Sequence, residues 1–172
     1  MCGLGVDSLK IEGRLKTEYY LATVINAYRS AIDDYIKDPE NYDYTKYLNE
    51  LEKTKTRGLT TFYFNSRENK DFQEYEGKQY NEEYEFGGKV LNEAKDKILV
   101  EIRNRLKIGD QMEVLIPNEI TPTPFIIETL WDSETEEEIS FVNPGKQGQT
   151  VLMKLPVPVK SGYIIRRKKE TL

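Results

Sequence analysis

The sequence predicts an α+β protein, a helical first part followed by a small antiparallel β-barrel. Two contrasts predict it. Eleven of the twelve tyrosines lie before residue 85, and six of the seven prolines lie after residue 116. Apolar residues in the first part recur at three- and four-residue steps, whereas the second part is a series of short β-prone runs separated by turn residues.

The opening Ser8-Leu9-Lys10-Ile11-Glu12-Gly13 reads as a strand ending in a glycine turn, followed by a long amphipathic helix. One strand and one such helix cannot make a parallel sheet alone. The expectation is therefore that residues 1–58 are the last strand and two helices of a larger α/β barrel. Thr17 can cap the first helix, and Glu18 suits the positive end of its dipole. Leu21, Val24, Ile25, Tyr28, Ile32, Tyr35 and Ile36 form its apolar stripe. Asp38-Pro39 stops it, because proline disfavours helical geometry in the preceding residue. A shorter helix follows, capped by Asp43, striped by Tyr44, Tyr47, Leu48 and Leu51, and ended by Gly58.

Residues 59–83 read as a short β segment, Thr60–Phe64, and a polar linker. Residues 84–172 read as the barrel. Its candidate strands are Tyr84–Leu91, Ile98–Arg103, Gln111–Ile116, Phe125–Trp131, Glu138–Val142, Thr150–Leu155 and Gly162–Arg167. The separators are turn chemistry, among them Lys107-Ile108-Gly109-Asp110 and Asn143-Pro144-Gly145. Closing so many short strands into a barrel removes exposed edges.

Composition excludes several chemistries within the chain. There is no histidine, so a Ser-His-Asp triad, a Cys-His pair and a histidine-ligated zinc are ruled out. One cysteine, Cys2, cannot form an intrachain disulfide or hold an iron–sulfur cluster. A cofactor within this chain is therefore not expected. The net charge of −5 argues against nucleic-acid binding by bulk electrostatics, though not against a local basic patch. No run approaches the roughly 20 apolar residues that span a bilayer. The expected compartment is the cytoplasm, and no membrane contact is expected.

Gly5-Val6-Asp7-Ser8-Leu9-Lys10-Ile11-Glu12-Gly13-Arg14-Leu15-Lys16, then Tyr19-Tyr20 and Ala27-Tyr28-Arg29, resembles the end of the catalytic region of the U32 family of collagenase-like peptidases. Arg57–Tyr63 and Tyr84–Val90 are similar to that family's next landmarks. The resemblance implies a TIM-like barrel upstream and a C-terminal accessory β-barrel. It also implies either a peptidase or an enzyme hydroxylating tRNA or ribosomal RNA, some relatives of which carry iron–sulfur clusters. The family's cysteine-rich signature should lie upstream, and Cys2 matches no position in it. An iron–sulfur cluster is thus expected only upstream.

In a barrel enzyme the chemistry sits where strands end. Lys10, Glu12 and Arg14 are the catalytic candidates on that ground, active only in the complete parent protein. Glu12 would serve as a base or metal-binding group and Arg14 as an anion clamp. The competing reading is a structural charge network. Arg166-Arg167-Lys168-Lys169 reads as a basic terminus or an RNA-phosphate contact, and Glu134–Glu138 as a solvated hairpin tip. Trp131, Phe141 and Tyr163 read as core aromatics or base-stacking platforms.

The main functional expectation, from that resemblance, is the C-terminal part of a U32 collagenase-like peptidase-family protein, an accessory domain that recognises a partner or a substrate, peptide or RNA, and is inert alone. The alternatives are the C-terminal part of an RNA-hydroxylating enzyme and a non-enzymatic interaction module. The expected partners are the upstream catalytic barrel and a second copy docked through the N-terminal helix.

Overall fold

The computed structural model of this protein describes residues 2–54, 59, 83–94, 96–145 and 148–169. It is an α+β structure. A single 3₁₀ turn, Cys2–Leu4, precedes an extended segment and then helix α1, Glu18–Lys37. Thr17 caps α1 as expected, its hydroxyl accepting from the Tyr20 amide at 3.2 Å. The helix ends at Asp38, whose amide donates to Asp34 at 3.0 Å. Helix α2 runs from Thr45 to Glu52. Asp43 does not take the capping position assigned from sequence. Tyr44 precedes the helix, while the Asp43 carboxylate holds the Thr45 amide at 2.9 Å. The expected stop at Gly58 and strand at Thr60–Phe64 lie outside the described residues, as does nearly all of the expected linker.

The expected strand at Ser8–Gly13 is not one. The segment is extended but bonds to no sheet among the described residues, and it closes in a turn in which Lys16 N–H donates to Gly13 at 2.9 Å. A strand needs a neighbour for its backbone groups, and the described residues supply none.

The barrel is built from β1 (Tyr84–Ala94), β2 (Lys97–Ile102), β3 (Leu106–Lys107), β4 (Gln111–Leu115), β5 (Thr123–Ile126), β6 (Leu130–Asp132), β7 (Glu138–Ile139), β8 (Phe141–Val142), β9 (Thr150–Met153) and β10 (Ile164–Lys168). Eight strands form one antiparallel sheet in the order β5-β4-β10-β1-β2-β9-β6-β7. The edges are brought together by the β3–β8 pair, with Leu106 opposite Val142 and Lys107 opposite Phe141. Ile108 N–H to Ser140, at 3.0 Å, extends this closure, and Ile127 N–H to Asp110, at 3.1 Å, prolongs the β4–β5 pairing.

Closure explains where the sequence-based strands were cut. The run Phe125–Trp131 is two strands: Ile127 still bonds Asp110 at the end of the β4–β5 ladder, and the chain then passes to β6, which pairs with β9. The run Glu138–Val142 is likewise divided, one half pairing β6 and the other β3. Lys107, read as part of a turn, belongs with Leu106 to a strand.

Inward residues from almost every strand make one core, including Val90, Val100, Leu106, Val114, Leu130 and Ile165. Each such side chain contributes roughly 1.5–3 kcal/mol by leaving water. Gly88 is required where β1 bends between β10 and β2. A Cβ there would sit 2.6 Å from the Glu101 carbonyl oxygen and 2.8 Å from Val100.

Candidate functional site

The N-terminal candidates are at the surface. Lys10 and Glu12 lie on the same side of the extended segment and pair at 3.5 Å, both solvent-exposed. Arg14 is exposed in the following turn and makes no ion pair among the described residues. The structure thus brings two of the three together and leaves Arg14 apart. Leu9 and Ile11 alternate with them and border a shallow groove of about 320 Å³ with Tyr20, Val24, Tyr28 and Leu51.

The densest assembly of charged groups lies elsewhere, where the helices meet the barrel wall. Arg166 on β10 is completely buried (0% exposed) and faces outward from the barrel core. Its guanidinium makes a bidentate pair with Glu50 of α2, at 2.6 and 3.0 Å. It also bonds Glu113, its cross-strand neighbour on β4, at 2.7 Å through Nε. Lys53 adds a second cation, 3.2 Å from Glu50 and 3.6 Å from Glu113. Two cations and two carboxylates leave the cluster neutral, which is what allows it to be buried.

Two tyrosines close the cluster. The Tyr84 ring lies 4.7 Å from the Arg166 guanidinium and its hydroxyl donates to Glu113 at 3.3 Å. Burial, and then the Glu113 charge, push the Tyr84 phenol up to about 12. Tyr19 of α1 donates to the Lys53 carbonyl at 2.9 Å, and burial raises its phenol as well. Burial opposes the charged form of Arg166, but the Glu50 hydrogen bond and the surrounding negative groups hold its pKa above the ordinary value.

Further contacts fix α1 to the same wall. Tyr19 packs with Leu115 and Ile164. Glu18 reaches Lys89 and Arg103 at 3.2 and 3.4 Å. Asn26 accepts from the Asn118 amide at 2.7 Å and donates to the Glu119 carbonyl at 2.8 Å. This junction is closed and holds the helices against the barrel. Its chemistry is that of a clamp.

Sequence reasoning missed Glu50 and Glu113 and misread Arg166. Alternation along β10 puts Arg166 on the outer face, but nothing local marks an acidic partner more than a hundred residues away in α2. The basic run is neither a frayed end nor a free phosphate contact through most of its length. Residues up to Lys168 are strand, Arg167 pairs with Glu85 and Asp110, and Lys169 lies 3.9 Å from Glu85. Glu134–Glu137 is exposed and leads out of a turn held by the Asp132 carboxylate accepting from the Glu134 and Thr135 amides, while Glu138 opens β7. Tyr163 packs against the core, Trp131 is half-buried, and Phe141 is exposed.

Among the described residues no three histidine, cysteine or acidic side chains converge on a metal position. No helix among them is long and apolar enough to cross a membrane.

Two family profiles match the sequence, Peptidase family U32 over residues 1–74 and the Peptidase family U32 C-terminal domain over residues 82–166. The chain belongs to peptidase family U32. Among curated relatives, tRNA hydroxylation protein P1 of Bacillus subtilis (strain 168) is 40% identical to this U32 chain over 140 residues, covering 80% of the chain and 33% of the relative. The tRNA hydroxylation protein P of Escherichia coli (strain K12) is 34% identical over 165 residues, covering 94% and 35%. The chain therefore spans about a third of the length of these relatives. Among solved structures, the C-terminal domain of a Geobacillus thermoleovorans protein described as a U32 peptidase is 29% identical. Its TM-score is 0.43, and the match covers 49% of this chain and 93% of that one.

Proposed function

We propose that this U32 chain is the C-terminal part of an enzyme that hydroxylates tRNA, and that its barrel is a substrate-recognition module clamped to the reacting region. The observation that carries this reading is the 40% identity over 140 residues to a tRNA hydroxylation protein. The same relation recurs over 165 residues with a second protein of that activity. Of the expectations drawn from sequence, RNA hydroxylation is the better supported and the peptidase reading the less. A closed ion cluster and an absence of histidine in the chain fit a recognition role better than a hydrolytic centre.

On this reading the bare side of α1 and the Ser8–Gly13 segment pack against the upstream barrel, which restores the strand its missing neighbour. Lys10, Glu12 and Arg14 then border the reacting site of the complete protein, with Arg14 binding a phosphate and Glu12 ordering the substrate. Any iron–sulfur cluster belongs to the upstream part, since this chain has one cysteine to offer.

The test is genetic and chemical. Deleting the gene should remove a hydroxylated nucleoside from bulk tRNA, read by liquid chromatography and mass spectrometry. The complete gene should restore it, and the Arg14→Gln form should restore it poorly. An unchanged nucleoside profile, together with hydrolysis of gelatin or casein by the purified complete protein, would return the chain to the peptidase reading.

A further inference from the structure

Phe141 is the large aromatic that the barrel leaves outside. It is 47% exposed, on the two-residue strand β8, at the corner where the barrel closes. The Arg105 guanidinium lies over its ring, 4.9 Å from the centroid. Arg105 is itself exposed and meets no carboxylate among the described residues. Lys107 sits directly across the ladder from Phe141, and Arg103 lies two positions before Arg105. Ile108, 45% exposed, is tied to the same corner by its bond to Ser140.

Cations elsewhere on the protein are mostly committed. Arg166 and Lys53 are in the buried cluster, Arg167 and Lys169 share Glu85, and Lys89 and Arg103 share Glu18. Arg105 is different: a planar cation, parked on an exposed ring, with no acid to neutralise it. That pairing suits a nucleotide. A base can stack on the ring or the guanidinium plane, while Arg105 meets the adjoining phosphate. A protein partner is a poorer fit. A stable interface buries about 800 Å² on each partner, whereas the apolar surface here is one ring and one isoleucine. The chain's net charge of −5 also means that RNA must be held by a local patch of this kind.

We propose, on the tRNA reading given above, that Phe141 and Arg105 form a contact for an unpaired nucleotide of the RNA substrate. Phe141 stacks the base and Arg105 holds its phosphate.

The experiment measures binding of the full chain to a fluorescently labelled, unmodified tRNA transcript by anisotropy, across a salt series. Phe141→Ala should weaken binding about tenfold, in the range found for loss of one stacking aromatic. Arg105→Gln should weaken it and lower the slope of log affinity against log salt by roughly 0.7. Arg105→Lys should recover the slope but only part of the affinity. Lys160→Ala, an exposed cation on another loop, should do neither. Both Phe141 and Arg105 are exposed, so unchanged thermal unfolding of the variants shows that the loss is not misfolding.

Wild-type affinity in both Phe141→Ala and Arg105→Gln overturns the proposal, as does a wild-type chain that fails to bind the transcript. If the corner variants bind normally but gene deletion still removes the hydroxylated nucleoside, the surface is wrong and the tRNA reading stands. If deletion leaves the nucleoside intact while Phe141→Ala loses binding, the surface stands and the hydroxylation reading falls.

Discussion

The two long faces of α1 are an instructive pair. One is locked against α2 and the barrel, yet it is made of small and hydroxylated residues: Tyr19, Thr23, Ala27 and Ser30, with Val24 at its border. The other carries most of the helix's large apolar side chains and stays wet, with Ile25 at 52% and Ile36 at 68% exposure. Hydrophobicity alone picks the wrong face. Small residues let a neighbouring helix approach closely, Tyr19 packs on Leu115 and Ile164, and the Asn26 clamp on α1 and the Arg166 cluster on α2 complete the attachment. The bare face holds most of the expected stripe, with Ile25, Tyr28 and Ile36 exposed, while Val24 from the same stripe is buried. Its exposed members have no cover in this chain among the described residues.

The largest expected effect comes from breaking the locked side at its centre. Arg166→Met leaves Glu50 and Glu113 buried with only Lys53 to answer them, and should cost about 3–5 kcal/mol in urea unfolding. Glu50→Gln should cost less, since Lys53 and Arg166 remain with Glu113. A loss of under about 1 kcal/mol for Arg166→Met would mean the junction opens and hydrates, as an exposed ion pair does. Next in size is a steric test of the same face. Ala27, with no exposed surface, should not accept leucine, and the overpacking should cost about 1–3 kcal/mol. The matching change on the other face, Ile36→Ser, should stay within about 0.5 kcal/mol. Equal effects at the two positions would erase the distinction between the faces.

The sequence made some of this legible and hid the rest for physical reasons. Thr17 and Asp38-Pro39 bound α1 correctly because caps and prolines act locally. The strands around Tyr84, Gln111 and Thr150 were found because β-prone runs between turns mark them. The cuts at Ile127 and Ser140 were not found, because they arise from barrel closure, a non-local event. The Ser8–Gly13 pattern is strand-like, but a strand is a relation between two segments, and no second segment pairs with it among the described residues. The clamp was unreadable because Glu50, Glu113 and Arg166 are separate in sequence and each looks like an ordinary surface charge. Phe141 was assigned to the core by default, and only the fold shows it outside.

Base should separate the junction from the rest of the molecule. The Tyr84 phenol is raised from 10.0 to about 12 by burial and by Glu113. A raised folded value favours the neutral phenol, so its contribution is intact below the unfolded pKa of about 10 and is lost as pH climbs toward the folded value. Wild-type melting temperature should therefore fall between about pH 10 and pH 12 more steeply than that of Tyr84→Phe. Parallel curves for the two proteins would show that Tyr84 does not sense the cluster.

Acid should act at the other end of the helices, and with the smallest effect. Hydrogen bonds from Lys46 and Tyr47 hold the Asp34 carboxyl below its ordinary value, Asn41 does the same for Asp38, and Thr45 for Asp43. All three lie where α1 passes into α2. The barrel has one such group among the described residues, Asp132, held down by the Thr135 and Glu134 amides. A depressed folded value means stability that is present above the unfolded carboxylate pKa of about 3.9 and is lost as pH falls through the lower folded value. All four carboxylates are solvent-exposed, so each contribution is modest. The helical pair should nonetheless loosen before the barrel does. Trp131, the single tryptophan, sits on β6 and reports the barrel by fluorescence, while helical circular dichroism reports α1 and α2. On acid titration the helical signal should fall first, and Asp34→Asn should flatten its early part. Coincident curves for the two probes would show that the Arg166 clamp makes helices and barrel a single cooperative unit, so that acid acting at the helical turn is felt equally at β6.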